Sequence, residues 1–109
     1  MKSFLLVLVL LSFGYAKAAD VDHSKAHQGQ EFHHEGAAVM QKMNDEMKAM
    51  KSTESADKDF AAMMAKHHEG AIEMSQAYLK YGKDEDLRKM ATKMIEDQKR
   101  EVEMLKAKF

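Results

Sequence analysis

The stretch Phe60-Ala61-Ala62-Met63-Met64-Ala65-Lys66-His67-His68-Glu69-Gly70-Ala71-Ile72-Glu73-Met74-Ser75-Gln76-Ala77-Tyr78-Leu79-Lys80-Tyr81 decides the fold. Phe60, Met64, His67, Ala71, Met74, Tyr78 and Tyr81 recur at steps of four and three, while Lys66, Glu69, Glu73, Gln76 and Lys80 fall on the opposite side. That spacing is one face of an α-helix, predicted to run from Asp57 to Tyr81 with the stripe facing inward. Ser55 or Asp57 is placed to cap its free N–H groups, and Gly82 is expected to end it in a left-handed conformation.

The pattern repeats on either side. Gly36, Met40, Met43, Met47 and Met50 predict a helix over about Glu35 to Lys51, separated from the central one by the polar Ser52–Ala56 segment. Beyond Gly82, the acidic Asp84, Glu85 and Asp86 suit a helix start and Lys106 and Lys108 a helix end. Leu87, Ala91, Met94, Gln98, Val102 and Leu105 form its stripe. Three amphipathic helices on short connections predict an all-α, short antiparallel up-down bundle. A four-helix bundle would lack one member, which leaves a place for a homodimer. One octet also recurs: His33-His34-Glu35-Gly36-Ala37-Ala38-Val39-Met40 matches His67–Met74 at six of eight positions, 34 residues on, which reads either as a duplicated hairpin or as coincidence in a helical sequence of low diversity.

The remaining segments set the compartment. Met1-Lys2, the apolar run Phe4 to Leu11 and Ala16-Lys17-Ala18 read as a secretory signal peptide over 1–18, since the run is shorter than the roughly 20 residues of a membrane span. Residues 19–34, polar and carrying His23 and His27, are expected to be a flexible His-rich tail, and 35–109 the helical domain. The expected product is periplasmic or secreted, with no membrane span after processing. Among 109 residues, 17 Lys and Arg stand against 18 Asp and Glu, which argues against nucleic acid. The chain has no Cys, so disulfides, zinc ribbons, iron–sulfur clusters and covalent haem are excluded.

Chemistry then falls to Met and His. Ten of the eleven Met lie beyond residue 18. Each alone reads as an adaptable core filler. As a set they point to copper, because a neutral thioether selects Cu(I) and imidazole accepts Cu(I) or Cu(II). Met63 with His67, Met64 with His68, and Met64 with His67 share helix faces at i,i+4 and i,i+3. Folding the loops is expected to gather Met43, Met47, Met64, His67 and Met94, with Met40 on the same row. The alternative for His67 is a buried neutral ring bonded to Gln98. His33 and His34, with His23 and His27, suit Cu(II); for the last two a solvated tail is an equal reading. Only Glu31-Phe32-His33-His34 has di-iron Glu-x-x-His spacing, and no His-Glu-x-x-His, P-loop or Gly-x-Ser-x-Gly occurs, so no enzyme is expected.

Met64-Ala65-Lys66-His67-His68-Glu69-Gly70-Ala71-Ile72-Glu73-Met74, Tyr81-Gly82-Lys83-Asp84 and Ile95-x-x-Gln98-x-x-Glu101-x-x-Met104 resemble the CopM-type periplasmic copper metallochaperones, in the ferritin-like group catalogued as domain of unknown function 305. The resemblance is close over the second half of the chain and loose over the Met40–Met50 row. It implies a small exported helical protein that binds and traffics copper, adding to copper tolerance, with Met64, His67, His68 and Met74 as ligands. A copper-transport or efflux protein is the implied partner. The chain lacks the C-terminal Trp common in that group and is shorter than its two-unit members. The competing reading is a non-catalytic module that holds an apolar peptide or partner helix in a Met-rich groove.

Overall fold

A computed structural model describes residues 23–109. The expected signal peptide and residues 19–22 of the expected tail lie outside them. Three helices follow in order: α1 (His23–Ala49), α2 (Ala56–Tyr81) and α3 (Glu85–Lys106). They form the expected all-α antiparallel up-down arrangement: Phe32 and Gly36 of α1 lie against Tyr78 and Met74 of α2, and Gly70 lies against Met43. Likewise Arg88 near the start of α3 reaches Leu79, while Glu101 reaches His68.

Two helix starts are capped as the sequence requires. Ser55 Oγ accepts from the Lys58 N–H and Asp84 Oδ1 from the Leu87 N–H. Between α1 and α2, Asp59 reaches back to accept from Ser52 Oγ, Thr53 N–H and Thr53 Oγ1. This pins the one described non-glycine residue with positive φ, Glu54 at 67°.

Two local expectations are corrected. Residues 23–34 are helical and continue α1, because nothing in them breaks a helix and His27 and Glu31 pair at i,i+4. Gly82 is extended, at φ −74° and ψ 143°. Its role is steric: a Cβ there would meet the Tyr78 ring at 2.2 Å.

The larger difference concerns what packs on α2. Among the described residues α1 packs on α2 and α2 on α3, and α1 does not pack on α3. The 3.6-residue turn explains this. Met63, Gly70 and Ala77 line the flank of α2 toward α1; Ala61, Ala65, His68 and Leu79 line the flank half a turn away, toward α3. Small residues at both seams let the helices approach closely. Ala61, Ala65, Ala77, Ala91 and Val102 are buried, and among the described residues no large side chain is fully buried.

The result is a single layer of three helices with two unlike faces. On one, Glu46, Lys66, Glu69 and Lys106 form a strap of ion pairs across all three helices, at 3.6, 3.0 and 3.3 Å, and Lys42–Glu73 (2.7 Å) and Lys80–Glu35 tie α1 to α2. Each such exposed pair contributes little on its own. The other face carries the stripe Phe60, Met64, His67, Ala71, Met74 and Tyr78. It was expected to face inward, and instead forms the open floor between α1 and α3.

Candidate functional site

The position of α2 in the middle of the layer distributes the candidate ligands. Met43 lies across the backbone at Gly70, in the α1–α2 seam. Met47 and Met63 line a hollow with Met50 beside the α1–α2 loop. Met74 and Met94 line a second with Phe32, Tyr78, Leu87 and Met90. Met64 and His68 line a third, about 350 Å³, with Phe60, Glu101, Met104 and Leu105. Met40 is exposed, as are His33 and His34 on α1. The expected gathering of Met43, Met47, Met64, His67 and Met94 at one point does not occur, because α1 and α3 lie on opposite flanks of α2.

His67, which the stripe placed inward, and His68, which lies off the stripe, are set the other way about. His67 is exposed, so it is not the buried ring bonded to Gln98. It meets His68 edge-on, with ring centroids 6.2 Å apart. His68 points into the α2–α3 seam, and its side chain is only 15% exposed. Its Nε2 stands 2.6 Å from Glu101 Oε2. An ionised carboxylate only accepts, so Nε2 carries the proton and donates. Its Nδ1 is buried without a hydrogen-bond partner. In the neutral ring that nitrogen holds a free lone pair.

A ring with one nitrogen tied to a carboxylate and the other free is the arrangement in which imidazole serves as a metal ligand, its orientation fixed from the outer side. The thioethers of Met64 and Met104 line the same hollow; Met64 is half-buried and Met104 is 68% exposed. Among the described residues no three His, Asp or Glu side chains come together as a metal-holding group. The donors other than His68 and Glu101 that line this hollow include the two thioethers.

Sequence reasoning passed over Glu101 and Met104 as site residues. The signal was present: His68 and Glu101 stand at nearly equal distances along the chain from the 82–84 turn, so an antiparallel hairpin sets them side by side.

Neighbouring carboxylates show how the charged face holds itself. Burial pushes the Glu69 carboxyl up, but Lys66 and Lys106 outweigh it and hold the group below its usual range. Glu35 is also lowered, by hydrogen bonds from Lys80 and Tyr81. These carboxylates are engaged with cations and are not free acids or bases.

The family described as Domain of unknown function (DUF305) matches residues 11–108. No curated protein and no solved structure matches the chain. No helix among the described residues is long and apolar enough to cross a membrane.

Proposed function

We propose that this chain, which belongs to the DUF305 family, is an exported copper-binding protein that buffers or hands on Cu(I), and Cu(II) in second place, through Met and His without making or breaking bonds in a substrate. One observation carries the reading. The unpartnered Nδ1 of His68 lies in a seam whose hollow is lined by two thioethers, while Glu101 fixes the ring from its other nitrogen.

The donor types account for uptake and release. Thioether and neutral imidazole need no deprotonation, and sulfur favours Cu(I) over harder ions. Met64, Met104 and His68 together offer two thioethers and one imidazole at the seam. Each neutral ligand is weak alone, so the ion leaves by exchange onto a stronger set. Met74, Met90 and Met94 offer further sulfur along the same open face. The signal peptide reading sets this outside the cytoplasm, where copper tolerance and delivery to a transport or efflux protein would be served.

An anaerobic Cu(I) titration against a chromogenic chelator tests the reading, on the whole chain and on a Met64→Leu, Met104→Leu, His68→Leu variant. Stoichiometric withdrawal of copper by the native chain, lost in the variant, is expected. Failure of the native chain to compete overturns it. The open hollow at Leu87, Met90 and Met94 favours the rival reading, an apolar groove for a peptide or partner helix. Leucine for methionine separates the two, since it keeps the groove apolar and removes the sulfur.

A further inference from the structure

The two faces of the layer are unequally provided for. The charged face satisfies itself through the Glu46–Lys66–Glu69–Lys106 strap and its neighbours. On the methionine face Met40, Phe60, Leu87, Met90, Met94 and Met104 are 40 to 68% exposed. A domain ordinarily closes its core between two packed layers. This one supplies a single layer, with Ala and Val as its buried core and those six large apolar side chains more than a third exposed.

We infer that the methionine face is covered by a second copy of the chain, laid face to face so that two three-helix layers enclose a common core. Three considerations select this occupant. Large apolar side chains offer about 150–250 Å² each, so these exposures amount to roughly 600–700 Å² per copy, close to the ~800 Å² per partner of a stable interface. Exposed patches of that size on a small protein mark an interaction surface. Charge on this face is sparse: Glu101 is bonded to His68, and Lys108 lines the same hollow beside Phe60 and Met64. A copy presents the same flat, largely apolar array of three helices, with Glu101 and Lys108 as groups of opposite sign on each side. Apposition of one patch on itself is a two-fold contact, which closes at two copies.

The inference does not rest on the copper reading, although both use the methionine face. The test is sedimentation equilibrium of the whole chain in chelator-treated, metal-free buffer, alongside Met90→Lys/Met94→Lys, Leu87→Lys and, on the charged face, Gln76→Lys. These positions are exposed, and helical circular dichroism checks that each variant folds. The native chain and Gln76→Lys are expected at twice the single-chain mass, and the variants of the methionine face at the single mass. A native monomer, dimers that persist in both methionine-face variants, or a dimer that forms only on adding copper would each overturn the inference.

Discussion

Gly36 and Gly70 occupy equivalent places in the repeated octet, yet alanine at the two positions should act with opposite sign. Glycine inside a helix costs about 1 kcal/mol relative to alanine, so each substitution begins with that gain. At Gly36 the added Cβ would lie 3.1 Å from Sδ and 3.5 Å from Cε of Met74, the far end of a flexible side chain that can swing aside. Most of the gain is kept, about 0.5–1 kcal/mol. At Gly70 the Cβ would meet Sδ, Cγ and Cβ of Met43 at 2.7, 3.1 and 3.3 Å. The sulfur can rotate away, but the Met43 Cβ is fixed to the α1 backbone and the helix itself must yield. Overpacking of this kind costs about 1–3 kcal/mol, leaving Gly70→Ala less stable by about 1 kcal/mol. In a domain of this size 1 kcal/mol moves Tm by about 4–8 °C. Thermal melts followed at 222 nm should therefore show Gly36→Ala above the native chain and Gly70→Ala below it. Met43→Ala should recover part of the loss when added to Gly70→Ala but destabilise the native chain. If both glycine variants melt higher by the same amount, α1 does not cross α2 at Gly70 and the packing described for that seam is wrong.

Two further outcomes follow from the site and the charged face. Glu101→Gln replaces the carboxylate that orients His68 and should weaken copper binding by about 10–100-fold with little change in helix content, read by chelator competition; unchanged affinity would mean His68 is not a ligand. The pH dependence of stability should be flat in the middle and fall at both ends. Asp59, lowered chiefly by the Thr53 hydroxyl, and Glu35 and Asp97, lowered chiefly by Lys80 and Lys93, contribute above the unfolded carboxylate range near ~4 and lose that contribution as pH drops through their lower folded values. Lys42, Lys66 and Lys80, raised chiefly by Glu73, Glu69 and Glu35, contribute below ~10.4 and lose it as pH rises through their higher folded values. Urea midpoints between pH 2 and 12 check this, and Asp59→Asn should blunt the acid arm.

Helix number and order, the choice of Ser55 or Asp57 as a cap and the acidic start at Asp84 could be read from the sequence because periodicity and helix-end chemistry are local. The arrangement of the layer could not. A stripe such as Phe60–Met64–His67–Ala71–Met74–Tyr78 tells which side of a helix is apolar, and says nothing of whether neighbours cover it or stand at its edges. The seams are marked by Gly70, Ala77, Ala61 and Ala65, small residues that a hydrophobicity pattern discounts. For the same reason the His68 site was half legible: Met64 and His68 are one turn apart on α2, whereas Glu101 and Met104 reach them only through the α2–α3 register.

Because α1 and α3 each rest on α2 alone, the molecule has two seams that open independently. Loss of α1 leaves the α2–α3 hairpin with its His68–Glu101 bond intact, while loss of α3 leaves the glycine crossing between α1 and α2. Amide protection would then be organised as two partly separable units that share one central helix, with the first turns of α1, past the end of α2, unprotected by either.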